Sequence, residues 1–165
     1  MRYFFITILF FISLVLQSTL FSHLTVAGVK PNLVLVLVVF YALFHGPKEG
    51  ALAGLIGGLM QDMMFGQYIG LNALAGLVVG YLIGLLERKI YKESLFIPTV
   101  ILFLSTFLHE TILYILRLSV EPAANYFTLV KGVILAAAVY NSCLAPFIYG
   151  KFYRSSQKGL LRTTE

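Results

Sequence analysis

One aspartate and one cysteine occur in 165 residues, and charged side chains of either sign make up only 12% of the chain. With Cys143 alone, no disulfide framework and no paired thiolate metal site can form within one chain. It lies in an apolar stretch and reads as a small helix residue. With Asp62 alone, the aspartate dyad of intramembrane proteolysis is excluded. The chain also lacks a Gly-x-Ser-x-Gly elbow, a phosphate-binding glycine loop, a dinucleotide fingerprint and a His-Glu-x-x-His pair. Enzyme is therefore the weakest function class, and no catalytic, cofactor-binding or metal-ligating residue is assigned.

What is present is apolar: 59% of the residues, in long runs. That balance is far from a soluble domain's and predicts an all-α membrane protein. Six transmembrane helices are expected in one domain over residues 1–150, as a helix needs roughly 20 residues to cross the hydrocarbon. Residues 3–21 form a retained first span, too long for a signal sequence and followed by no Ala-x-Ala site. The second, 31–45, opens with Pro31 in its first turn and ends in a turn over Gly46 to Gly50. The third, 50–64, is shorter than a span should be and is tilted, partly re-entrant or shielded by neighbours. The fourth covers 71–86 after a tight connection, and the fifth 95–116. The sixth covers 126–149, where Pro146 is expected to bend or end it early. Residues 151–165 read as a basic, mobile tail. The net charge of +5 marks topology rather than nucleic acid, since the basic residues flank the apolar runs.

Ten of the fourteen glycines fall between Gly46 and Gly84. Gly50, Gly54 and Gly58 recur every four residues, as do Gly76, Gly80 and Gly84, so each set makes a smooth stripe that another helix can approach closely. The two stripes either pack on each other or present a groove to a partner helix. Asp62 follows the first stripe at membrane depth, where a carboxylate must face protein or a polar cavity. It reads as a hydrogen-bonding hub that caps the turn around Gly66 and reaches Asn72. On that reading Asp62→Asn is tolerated, because a hub needs acceptor oxygens and no titration. Glu110, Tyr114 and Arg117 share a face of the fifth span and suit a buried charge ladder. His109 and Glu110 point some 100° apart and do not face each other as metal ligands would. A proton pathway through Asp62 and Glu110 is the functional alternative to these structural roles.

Lys30-Pro31-Asn32-Leu33, Gly50, Gly54, Gly57-Gly58-Leu59-Met60-Gln61-Asp62, Gly66, Gly70-Leu71-Asn72-Ala73-Leu74 and Gly80-Tyr81-Leu82 resemble, in order and spacing, the MreD family. Beyond Glu87 the resemblance is one of hydropathy. It implies a non-enzymatic inner-membrane scaffold subunit of the cell-wall elongation machinery. Such a subunit binds the single-pass protein MreC beside MreB, RodA and a penicillin-binding transpeptidase, helping to organise peptidoglycan synthesis within membrane lipid. The resemblance also implies a fold similar to the substrate-binding subunits of energy-coupling-factor transporters. A small-molecule-binding subunit of a transporter is therefore the second reading. Stripes and matched block together give the structural or partner-binding candidates Pro31, Asn32, Gly54, Gly58, Gln61, Asp62, Gly66, Gly70, Asn72, Gly76, Gly80 and Gly84.

Six spans put both termini on one side. With the N-terminus inside, Arg2, Lys48, Arg88, Lys89, Lys92, Lys151, Arg154, Lys158 and Arg162 are cytoplasmic, against Lys30, Arg117 and Lys131 outside. The excess of basic residues favours N-in, C-in. Reporters fused at Lys89 and at Lys158 should both read cytoplasmic, and an external signal at either overturns this topology.

Overall fold

The computed structural model describes residues 2–19, 30–66, 68–87, 96–120, 132 and 134–158. Among them the backbone forms five helices and no strand: α1 Arg2–Thr19, α2 Leu33–Phe65, α3 Leu71–Gly84, α4 Phe96–Leu118 and α5 Leu135–Lys158. The end of the first expected span, the charged loop 88–94, the start of the sixth span at 126, and Lys131 and Arg162 lie outside the described residues.

A straight helix of α2's length would reach about 50 Å, well beyond a bilayer core. It is not straight. Gly46 stands at φ 85°, ψ −176°, a region essentially closed to residues with a Cβ. Pro47 disfavours helical backbone at the residue before it and suits the first turn of the helix after it. The chain therefore doubles back at one residue. Side chains far apart along a straight helix meet here: the Tyr41 hydroxyl donates to Glu49 at 3.3 Å, and a Cβ built at Gly57 lies 2.8 Å from Val34. The two limbs, 33–45 and 47–65, pack antiparallel. The expected five-residue turn shrinks to Gly46. The second limb, at about 28 Å, is no shorter than a span should be.

Every residue from Leu33 to Phe44 is buried. The first limb is thus apolar all round because protein surrounds it all round. Around it, α1 buries Ile6, Phe10 and Leu14 at four-residue spacing and turns Phe4, Phe11 and Ile12 outward. Helix α4 buries Leu102, Thr106, His109 and Leu113, and α5 buries Ala138, Asn141, Ala145 and Tyr149. Tyr149 closes the packing edge-on to Phe40, with ring centroids 5.1 Å apart. The outward faces carry large apolar side chains, with Phe96 74% and Phe147 75% exposed, a surface suited to lipid rather than water. Cys143 faces outward too. Helices α2 and α4 are long and apolar enough to cross a membrane.

Two expected helix ends are corrected. Pro146 does not end the last helix: α5 runs through it to Lys158, so the stretch expected as mobile tail is helical that far. One lost backbone bond is tolerated where an unbroken helix is what satisfies the remaining backbone. Helix α4 extends to Leu118, which places Arg117 in its last turn rather than in the following break.

The glycine stripes pack on each other inside this chain. A Cβ built at Gly54 falls against the carbonyl oxygen of Gly76, and one at Gly76 lies 2.6 Å from the carbonyl oxygen of Gly54. Gly50 and Gly80 oppose each other in the same way, Gly84 meets the backbone of Gly46 and Pro47, and Gly58 meets that of Asn72 and Ala73. Each step of four along the second limb is matched by a step of four back along α3, so the register is antiparallel. The Hα standing where a Cβ would be points at a carbonyl oxygen, a contact worth about 0.5–1 kcal/mol.

Gly80→Ala and Gly54→Ala should each destabilise purified protein by about 1–3 kcal/mol, since the added carbon meets main chain rather than a side chain that can yield. Gly46→Ala should destabilise by a similar ~1–3 kcal/mol through backbone strain. Gly150, whose added Cβ would meet nothing within 4 Å, is the control: Gly150→Ala should be neutral or stabilising in thermal unfolding. Equal melting of the Gly80 and Gly150 variants would refute the interlock.

Candidate functional site

The stripe Gly50, Gly54, Gly58 continues at its next step of four to Asp62, so the carboxylate arrives on the face that packs against α3. There it meets the start of that helix. Gly70 is the N-cap residue, at φ 106°, and has no side chain to cap with. Asp62 caps α3 from the neighbouring limb instead. Its Oδ2 accepts from the backbone N–H of Gly70 at 2.9 Å and of Ala73 at 3.1 Å. Its Oδ1 accepts from the Asn72 N–H at 3.1 Å and from Asn72 Nδ2 at 2.7 Å. These backbone groups include N–H groups that a helix start leaves without intrahelical partners. The positive end of the helix dipole favours a carboxylate there. At 1% exposure the group is fully buried, and charge-assisted hydrogen bonds offset the loss of hydration.

This geometry refines two expectations. The turn at Gly66 is capped by the Asp62 backbone carbonyl, which accepts the Gly66 N–H at 2.9 Å, and not by the carboxylate. Asparagine is also not a faithful substitute. A carboxylate offers about four acceptor positions, and four donors occupy them. An amide would turn an NH2 toward two donors whichever way it flipped.

A second polar chain crosses the bundle. Asn32 caps α2, its side chain accepting from the Leu35 N–H at 3.0 Å, while Pro31, expected in the first turn, is buried just outside the helix. The Asn32 N–H donates to Asn141 Oδ1 at 2.9 Å, and Asn141 Nδ2 donates to Thr106 Oγ1 at 3.2 Å. Thr106 donates in turn to the Leu102 carbonyl. Asn141 and Thr106 are fully buried, so this chain ties α2, α5 and α4 together. The sequence marks Asn32 and Asn141 as polar letters in apolar runs. Thr106 was missed, because threonine in a membrane helix ordinarily bonds its own backbone.

The face expected as a buried ladder, Glu110, Tyr114 and Arg117, is corrected. Tyr114 and Glu110 are half-buried and Arg117 is exposed, while the buried polar stripe of α4 is Ser105, Thr106 and His109. Glu110 Oε1 lies 3.2 Å from His109 Nδ1. Neighbours on a helix do meet here, because the long glutamate side chain reaches round to the ring. Among the described residues no ion pair joins Glu110 to Arg117, and no three His, Cys, Asp or Glu side chains converge as a metal ion's ligands would.

Beside the Asp62 cap lies a half-open cavity of about 210 Å³, large enough for several waters or a small polar group. Helix ends from all sides contribute: Gln17 from α1, Asn32 and Gln61 from the two ends of α2, and Asn72 from α3. Glu110 and Arg117 from α4 line it as well, with Lys30 before α2 and the backbone at Gly66. The structure thus gathers Asn32, Gln61, Gly66, Asn72, Glu110 and Arg117 from the sequence candidates at one end of the bundle. Gly54, Gly58, Gly76, Gly80 and Gly84 belong to the interlock, and Gly70 to the cap.

A family model described as rod shape-determining protein MreD matches residues 1–156. No curated protein and no solved structure matches the chain.

Asp62→Asn should lower the thermal stability of the purified protein by a few kcal/mol, at about 1–3 kcal/mol per stranded donor. The exchange Asp62→Asn with Asn72→Asp returns a carboxylate to the same helix start and should recover part of that loss. Additive damage in the double variant would count against the cap.

Proposed function

The chain belongs to the MreD family, and from that premise we propose that it is a non-enzymatic scaffold subunit of the cell-wall elongation machinery. The family's role is in rod shape determination, in a bacterial membrane. In this reading the protein crosses the inner membrane six times, α2 supplying two spans through its reversal at Gly46. Both termini are cytoplasmic. It binds MreC and acts beside MreB, RodA and the penicillin-binding transpeptidase.

The observation that carries the scaffold reading, beyond the family match, is the interlock closed by the Asp62 cap. Two backbones in contact at every fourth residue, with a buried carboxylate fixing one end, resist the sliding that a moving carrier needs. A rigid body of this kind suits a subunit that presents a fixed surface to partners. The small-molecule-binding transporter subunit is the second reading, favoured only by the polar cavity.

Affinity-tagged protein extracted from its native membranes should co-purify with MreC, and a deletion strain should lose rod shape and regain it on complementation. Asp62→Asn should reduce recovered protein and cell-shape rescue together. Normal rods in the deletion strain, with an ATPase pair as the co-purifying partner, would replace this reading with the transporter one.

A further inference from the structure

We propose that the cavity at the Asp62 end of the bundle binds a zwitterionic phosphoryl group, one bearing a phosphate and an ammonium with N–H donors. This is independent of the elongation reading. Gln17 carries the inference: it is 8% exposed, lines the cavity, and its Oε1 is buried with no hydrogen-bond partner. A buried acceptor left empty in a protein interior calls for a donor. The first specification of the ligand is therefore an N–H or O–H group.

The charges supply the rest. Lys30 and Arg117 stand at the cavity with no ion-pair partner among the described residues, and an exposed guanidinium matches phosphate bidentately. The same cavity holds the Glu110 carboxylate, of which one oxygen lies against His109. An anion without a donor hydrogen would meet the cations but also this carboxylate, and would leave Oε1 unpaired; a hydrogen phosphate could offer its O–H to Oε1 but would still face the Glu110 carboxylate. A bare cation would reverse the mismatch. A molecule with both ends answers all of it: phosphate toward Arg117 and Lys30, ammonium toward Glu110 and Gln17. Phosphoethanolamine has this chemistry, either free or as the headgroup of phosphatidylethanolamine, and the cavity's volume suits a group of that size. Phosphocholine is the discriminating relative, since its quaternary ammonium has no N–H to donate.

The test uses the full chain in phosphatidylcholine nanodiscs. Binding of soluble phosphoethanolamine is measured by calorimetry, and retention of phosphatidylethanolamine doped into the discs by native mass spectrometry. Gln17→Leu removes the orphan acceptor without stranding another group, so it should fold with unchanged or higher thermal stability. Binding should weaken about tenfold or more in Gln17→Leu and in Arg117→Gln, the factor for one charge-assisted hydrogen bond. Saturable binding of the soluble molecule, lost in both variants, supports the site with a free ligand. Selective retention of the ethanolamine lipid over the choline lipid, lost in both variants, supports it with a headgroup. Absence of both, equal affinity for ethanolamine and choline forms, or indifference to both substitutions in folded protein overturns the proposal.

Discussion

Two helices that touch main chain to main chain have no side chains with which to adjust their register, and the rest of this fold is hung on one such contact. The second limb of α2 and α3 meet at Gly50 and Gly80, at Gly54 and Gly76, and at Pro47 and Gly84. In lipid there is no water-driven force to hold helices together, so close approach and weak polar contacts have to do so. Smooth stripes permit the approach but do not by themselves choose where along the axis it stops. Asp62 makes that choice. Its four donors all lie at the start of α3, and a slip by one turn would bury a carboxylate without partners, at several kcal/mol.

Gly46 plays the complementary part at the other end. Its backbone conformation reverses the chain in one residue, setting the first limb against the second. The first limb is thereby placed in the centre, where α1, α4 and α5 close around it. Reversal at one end and cap at the other gather the polar helix termini of Asn32, Gln61 and Asn72 around a single cavity, while the lipid-facing surface stays apolar.

Much of this was legible in the letters because the informative residues are rare types in an apolar setting. A lone carboxylate and glycines every fourth position stand out, and both sit where the spacing put them, on one continuous face. The partner of each stripe was not legible, since a smooth helix face carries no record of what touches it. The donor count that argues against asparagine at position 62 was hidden for a related reason: a sequence tells that Asp62 is buried but not how many donors surround it. The Glu110 face was chosen because charge is conspicuous, whereas the structure buries the quieter Ser105 and Thr106 beside His109. Of the two outcomes expected at Pro146, the early end is the one that did not follow, because a helix-breaking tendency measured in water is outweighed where unsatisfied backbone is costly.

The interlock also limits how this protein can repair damage. In most cores an oversized side chain is accommodated by trimming the neighbour it strikes, and the two changes together cost less than either alone. At Gly54 the obstructing atom is the carbonyl oxygen of Gly76, and at Gly80 it is that of Gly50. Every amino acid carries that oxygen. No exchange at the facing position can make room, so relief has to come from moving one helix axis away from the other, which the Asp62 cap opposes. The contact is therefore a place where second-site suppressors should arise at a distance, in whatever loosens the cap or the reversal, and not across the interface itself.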